Sequence, residues 1–472
     1  MPSHHLTHPQ VTGRQTPPAK WTGDPLRILI IGAGAVGFYL AGRLADEAQE
    51  ITIVDVNPER IERVRENLDV LAIHGSGADV STLEEAGIRN AEIVMAVSGS
   101  EEVNLLACFA ASRAGVGVKV ARVRHPEHHL HTGLFAREAL GVDFLVGPEQ
   151  ECAREIFHLL ATPAATDIAT FAGGQVQLVG MRVLPDAPLA ADTLARLPRE
   201  LSDRHFVVTA LVRGDQTQIP TGATRLRPGD RAYILARTED LGSLPGLAGH
   251  EPVPLTRVMI AGGSDEAVYL ARHLRDHGVH CTILDRDPSR CRELAESLPG
   301  ALVLRGDATD MELLEMEGVE GTDGFVALTD RDEVNMLVAL LAKNSGARRV
   351  IPLIHKEEYM DLVDRMGLDA AVSPRISAAN AILRHVRRGS VASVATLKGG
   401  RAEAIETVIA PEAPIAGKRV RDIRFPKGAM LGILVKGNEV IIPRGQDSVE
   451  AGDLAIFFVL PHALEAVGRL LE

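Results

Sequence analysis

Aromatic residues are scarce in this chain: Phe, Trp and Tyr together make up 3% of 472 residues. Aliphatic packing rather than ring anchors must therefore build its core. Cysteine is also sparse, with Cys108, Cys152, Cys281 and Cys291 and no CxxC spacing, which argues against a disulfide framework or a zinc site. Basic charge is in deficit, Lys+Arg 50 against Asp+Glu 63 for a net charge of −13, so nucleic-acid binding by phosphate neutralisation is not expected. Long apolar runs are missing as well. The charge-free stretch from Ile28 to Gly42 is about 15 residues, short of the roughly 20 that a spanning helix needs. The start, MPSHHLTHPQ, has no basic segment leading into an apolar one, so no signal peptide and a cytoplasmic location are expected.

Glycine, in contrast, is plentiful at 44 residues, and much of it recurs in register. ITIVDVNPER (Ile51–Arg60) reappears as CTILDRDPSR (Cys281–Arg290), so Asp55 maps on Asp285. GFYLAGRL at Gly37 answers AVYLARHL at Ala267, VSGSEEVN at Val97 answers LTDRDEVN at Leu328, and GVDFLVGP at Gly141 answers GLDAAVSP at Gly367. FAGGQVQL at Phe171 matches LKGGRAEA at Leu397, and RGDQTQIPTG at Arg213 matches KGNEVIIPRG at Lys436. The chain is two copies of one unit of about 225 residues.

Each copy has two parts. In the first, near-continuous apolar strands (LRILIIG, EITIVDV, VLAIHG, EIVMAVS) alternate with helices, the pattern of a parallel sheet covered on both faces. Ser98 with Glu101, and Thr329 with Asp332, read as capping boxes. A helix over Glu149–Leu160 then leaves the sheet. In the second part VQLVGMRV alternates as a half-buried strand, a short helix is expected around Ala190–Leu197, and FVVTALVRGDQTQIP forms a hairpin turning at Gly214-Asp215. The fold class is α/β: two tandem Rossmann-like parallel-sheet domains, each followed by a small α+β domain. The expected boundaries are a disordered tail over 1–24, a first sheet domain over 25–148, a crossover helix over 149–165 and a first small domain over 166–240. A linker over 241–256 without helical pattern leads to a second sheet domain over 257–374, a crossover over 375–392 and a second small domain over 393–472.

The glycines of copy one have a chemical reading. Gly32-Ala-Gly34-Ala35-Val36-Gly37 follows a strand and opens a helix. Gly32 makes the tight turn, Gly34 lets the backbone approach a pyrophosphate, and Gly37 allows close helix–strand packing. Phosphates then meet the helix N-terminus, where free N–H groups and the dipole favour anions. Asp55 ends the second strand about 20 residues on, where a carboxylate accepts hydrogen bonds from ribose hydroxyls and repels a 2′-phosphate. That favours NAD(H) over NADP(H) but does not separate NAD from ATP or ADP. In copy two the turn is Gly262-Gly263-Ser264-Asp265-Glu266-Ala267. Its two carboxylates complement an empty helix N-terminus and oppose a phosphate, so this is the weaker site, with Gly262 and Asp285 retained. His125, His128, His129 and His131 read as solvated or helix-end histidines rather than a metal site, and the tail's His4, His5 and His8 as a solvated segment. Asn104 and Asn335 recur inside helices, as cofactor contacts or as packing.

The GxGxxG turn, the Asp-ending strand, the HGSG and RGDA turns at Gly75 and Gly306, the ARVR stretch from Ala121 and the trailing small module together resemble the KTN (RCK) regulatory subunits. The double-length plan over about residues 26–472 is similar to the TrkA-type peripheral subunits of Trk potassium uptake. The resemblance implies nucleotide contacts at Gly32, Gly34, Ala35, Val36, Gly37, Asp55, Gly75, Ser76, Val97 and Ser98, with Arg122 meeting phosphate. It further implies NAD(H) or ATP/ADP as ligand and a homotetramer on the inner face of the plasma membrane, gating a TrkH-type potassium-translocating protein. Nucleotide would bias a hinge, transmitted by the helix over Glu149–Leu160. An NAD-dependent dehydrogenase would pair its cofactor domain with a different catalytic domain, whereas this chain repeats itself and offers no catalytic base at a motif spacing. A freestanding nucleotide sensor is the remaining class.

Overall fold

In the computed structural model the described residues are 25–46, 49–126, 136–162, 165–197, 206–214, 216–250, 254–386, 391–396, 402–437 and 439–471. The tail with His4, His5 and His8, together with His128, His129, His131 and Asp215, lies outside them.

The first part of copy one alternates β1 (Arg27–Ile31), α1 (Ala35–Ala45), β2 (Glu50–Asp55), α2 (Pro58–Asn67), β3 (Leu71–His74), α3 (Val80–Glu85), β4 (Ile93–Ala96), α4 (Glu101–Arg113), β5 (Val118–Arg122) and β6 (Phe144–Val146). The strands form one parallel sheet in the order β3-β2-β1-β4-β5-β6. The order reverses at β1, so a crevice opens at the C-terminal strand ends beside α1. Ile28, Leu29, Ile30 and Ile31 are all buried because helices cover both faces. Copy two repeats the plan with five parallel strands, Leu302–Arg305, His280–Asp285, Arg257–Ala261, Gly324–Ala327 and Val350–Pro352, side by side in that order. The elements that matter there are β12 (Arg257–Ala261), α7 (Asp265–Asp276), β13 (His280–Asp285), α8 (Pro288–Ser297), α10 (Asp332–Asn344) and β16 (Val350–Pro352).

The two crossover helices exchange partners. α5 (Pro148–Ala161) leaves the first sheet and packs on α7 of copy two, burying Cys152, Ala153, Ile156, Leu159 and Leu160 beside Ala267, Leu270 and Leu274. α12 (Pro374–Val386) returns the exchange, burying Ala378, Ala379, Ile382 and Leu383 beside Val36, Leu40 and Leu44 of α1. Each buried Leu or Ile contributes roughly 1.5–3 kcal/mol, so each sheet's core depends on the other copy's helix. Polar contacts fix the seam: Ser377 Oγ donates to Glu155 at 2.6 Å, and Arg384 pairs with Glu151 at 3.6 Å. At the far end Arg349, buried in copy two, donates to the carbonyls of Thr162 (3.0 Å) and Ala165 where α5 stops.

Each second part is an antiparallel sheet: Gln216–Gln218, Phe206–Arg213, Arg231–Arg237, Val176–Arg182 and Ala165–Phe171 lie side by side in copy one, and Val391–Thr396, Glu403–Val408, Leu454–Val459, Ala429–Lys436 and Glu439–Ile441 in copy two. The two pack face to face in one shared core that includes Phe171, Leu178, Tyr233, Ile433, Ile456 and Phe458.

Several local expectations need correction. Val176–Arg182 is buried at every position but its last, not half-buried, because its outer face meets the other copy. Around Ala190–Leu197 there are two single 3₁₀ turns, Pro188–Ala190 and Leu194–Arg196. The supposed linker contains a helical turn, Leu244–Leu247, whose Leu244 and Leu247 join the first small domain's core. The cap of α4 is Ser100, accepting from Val103 N–H, rather than Ser98, and the N-cap of α10 is Arg331, which makes no side-chain cap, rather than Thr329.

Candidate functional site

The residues singled out in copy one come together at the C-terminal edge of the first sheet. Gly32 has φ +104°, and a Cβ there would lie 2.6 Å from Ser98 Cα. A Cβ on Gly37 would fall 1.8 Å from the Gly32 carbonyl oxygen. Both glycines are therefore steric necessities of a turn pressed against the end of β4. Gly34 differs: the nearest atom to a Cβ there is Arg60 Nη1, at 3.9 Å, so the space above it is open. Gly34 is also the N-cap of α1, with no side-chain cap and no acidic residue in the first turn. Ala35 and Val36 follow, and their N–H groups are among the helix's unpaired donors.

Asp55, 6% exposed, accepts from Ala33 N–H at 2.7 Å and Asn57 N–H at 2.8 Å, with Arg60 Nη1 at 3.6 Å. It thus ties the glycine turn to β2. A carboxylate offers about four lone-pair positions, so capacity remains for hydroxyl donors. Gly75 donates its N–H to the Asp55 carbonyl at 3.0 Å, and a Cβ there would strike Thr82. Ser76 Oγ accepts from Ala78 N–H at 3.2 Å in the turn after β3. Val97 is bound through its N–H to the Ile31 carbonyl at 2.8 Å.

Ser98 is held by Asn104. Asn104 Oδ1 accepts both the Ser98 N–H (2.9 Å) and hydroxyl (2.7 Å), while its amide donates to the carbonyls of Ser98 (3.1 Å) and Arg122 (2.9 Å). Asn104 is therefore a fastener between the ends of β4 and β5. Asn335 does the same in copy two with Thr329 and Leu353. Arg122, at the end of β5, lies 3.7 Å from Glu149 in the first turn of α5. Burial raises the Glu149 pKa above its usual value; Arg122 opposes this, and Glu266 and Asp265 of copy two add to it.

In copy two Gly262 has φ +100°, and Asp285 accepts from Gly263 N–H (2.7 Å) and Asp287 N–H (2.8 Å). The turn itself is occupied. Ser264 caps α7 by accepting Ala267 N–H at 3.3 Å, and Arg290 lies across the turn, donating to the Gly263 carbonyl (2.5 Å) and to Asp265 (3.2 Å).

His125 is not simply solvated. Its Nδ1 is 2.9 Å from the hydroxyl of Tyr269, whose O–H also reaches the Arg124 carbonyl at 3.4 Å, so it bridges the two copies. Among the described residues no His, Cys, Asp and Glu cluster could hold a metal. Sequence reading missed the contacts of Glu149 and Arg290. The aligned VGPE and VSPR segments (Val146–Glu149, Val372–Arg375) carried the available signal, an acid exchanged for a base.

Comparison with known proteins agrees with this architecture. The TrkA-N domain family matches residues 28–148 and 258–374, and the TrkA-C domain family matches 178–244 and 404–472. The Trk system potassium uptake protein TrkA of Halomonas elongata is 36% identical over 452 residues, covering 95% of this chain and 99% of its own. The TrkA homolog of Archaeoglobus fulgidus is 34% identical, covering 95% and 100%. Among solved structures the GsuK RCK domain has a TM-score of 0.59 at 17% identity, covering 99% of this chain and 98% of its own. The GsuK channel bound to NAD has a TM-score of 0.60 at 18% identity, covering 97% and 81%. The matches span both copies and both parts of each: the chain belongs to the TrkA family of Trk-system potassium uptake proteins.

Proposed function

We propose that this chain is a nucleotide-sensing regulatory subunit of a Trk-type potassium uptake system, with its principal nucleotide site in copy one. The observation that carries this is the uncapped, acid-free helix start at Gly34 beside the buried carboxylate of Asp55. The contacts are Gly32, Gly34, Ala35, Val36 and Gly37 for the pyrophosphate, Asp55 for ribose, Gly75, Ser76, Val97 and Ser98 at neighbouring strand ends, and Arg122 for phosphate charge. NAD(H) is the preferred ligand, supported by the NAD-bound GsuK relative in fold, with ATP/ADP the competitor. Copy two, at Gly262 and Asp285, is the weaker site. No helix among the described residues is long and apolar enough to cross a membrane, so the reading needs a membrane partner of the TrkH type, with the subunit a homotetramer on its cytoplasmic face.

A ligand shifts a conformational equilibrium only by its difference in affinity for the two states. The lever is α5, which starts beside Arg122 and ends against copy two, at Arg349, so a change at the β5 end acts on the angle between copies. Coupling of about 1–3 kcal/mol is enough to gate transport several-fold. Potassium flux through the co-reconstituted membrane partner, with NADH, NAD, ATP and ADP varied in turn, tests this. Flux that responds to none of the four overturns the reading, and NADH turnover without any partner would point to a dehydrogenase instead.

A further inference from the structure

Because the crossover helices exchange, each glycine turn faces the first helical turn of the other copy's crossover. The charges presented there are opposite. α5 begins Pro148-Glu149, and the helix it packs on begins with Asp265 and the buried Glu266. The carboxylate of Glu149 is near enough to both for them to disfavour its ionisation. α12 begins Pro374-Arg375. Its next turns bury Ala378, Ala379 and Ile382 against Val36 and Leu40. The guanidinium carbon of Arg375 sits 5.7 Å from the ring centre of Tyr39, one helical turn beyond Ala35. Arg375 therefore stands against the first turns of α1, whose N-terminus is the uncapped Gly34.

The strand ends repeat the contrast. Arg122 and Leu353 hold equivalent places, each giving its carbonyl to the clamping asparagine. Copy one's turn thus has Arg60 of α2 beside Gly34 and Asp55, Arg122 of its own β5 set against Glu149, a further cation from copy two, and no acid in its helix start. Copy two's turn has Asp265 and Glu266 of its own and Glu149 from copy one.

We propose that Arg375, delivered from copy two, is a phosphate-binding residue of the copy-one site. The ligand class is a nucleotide carrying a diphosphate, read by charge-assisted hydrogen bonds from a guanidinium. A ligand held this way touches both copies and is sensitive to the angle between them. The proposal rests on the reading of the copy-one turn as the nucleotide site.

Isothermal titration of the full-length chain with NADH, ADP and adenosine separates the two. In Arg375→Gln, NADH and ADP bind roughly tenfold or more weaker with a shallower salt dependence, while adenosine binds as to wild type. Arg375→Lys stays within a few-fold of wild type. Arg375→Met keeps the stem against Tyr39 and serves if the glutamine variant does not fold; it must show the same loss for NADH and none for adenosine. Unchanged NADH affinity in these variants, or a parallel loss for adenosine, overturns the trans-arginine assignment and leaves the nucleotide reading standing. A wild-type chain that binds none of the three overturns the nucleotide reading itself, and this proposal with it.

Discussion

The two glycine turns share a backbone and differ in what is done with the helix start. Both first glycines have positive φ, +104° at Gly32 and +100° at Gly262, and both turns are tied to the second strand by an aspartate accepting two backbone N–H groups. In copy two the helix N-terminus is satisfied from within, by the Ser264 cap and by acids in the first turn, one of which, Asp265, is held by Arg290 laid over the turn. In copy one the cap is a glycine, and no side chain answers the first N–H groups. The same fold can spend its helix dipole on its own side chains or hold it for an anion, and a few residues decide which.

That contrast can be broken most forcefully at Gly37. Copy two carries a fully buried Ala267 at the same place, but in copy one the added methyl meets the Gly32 carbonyl. Gly37→Ala is expected to destabilise the chain by about 3 kcal/mol or more, measured by denaturant unfolding. Equal stability would mean the two turns are interchangeable.

Next in size is Asp55, the proposed ribose contact. Asp55→Ala should weaken NADH and ATP binding by about 10- to 100-fold, whereas Asp285→Ala leaves titrations unchanged at one nucleotide per chain. Equal losses in the two variants would make the copies equivalent.

The smallest effect concerns Glu149. Its folded-state pKa is raised, chiefly by burial, so the charged form is disfavoured in the fold. The stability it contributes is present at pH below the ordinary carboxylate pKa of about 4.5 and is lost as pH rises through the raised value. Glu149→Gln should therefore melt about 1–3 °C higher than wild type at pH 7, with the gain gone near pH 4. A gain that persists at pH 4 would show that ionisation is not its cause.

Much of this was legible in sequence because it rests on local chemistry. Apolar runs broken by helices foretell a parallel sheet, and Gly32, Gly37 and Asp55 are spaced by the geometry of one strand–turn–helix unit. What escaped depended on contacts between the copies. VQLVGMRV alternates like a surface strand, yet its outer face is buried against the second small domain. Ser98 has the spacing of a cap but spends its hydroxyl on Asn104, because fastening β4 to β5 takes precedence and Ser100, two residues on, sits at the N-cap itself. Arg375 reads as an ordinary helix-start arginine until the exchange of crossovers sets it beside α1. Pairwise spacing within a copy holds no information on which copy a helix will cover.

The exchanged helices also bear on synthesis. The helix that covers Val36, Leu40 and Leu44 is near the other end of the chain; the contact of Arg43 with Glu403 joins residues 360 positions apart. At roughly 5–20 residues per second, the first sheet would wait tens of seconds on the ribosome with the apolar face of α1 uncovered. A nascent first copy is then a sticky half-domain in need of a temporary cover, and the cheapest wrong cover is the α12 of a neighbouring chain. Two chains translated side by side could trade these helices and leave as a swapped pair, so the order of synthesis becomes a determinant of assembly.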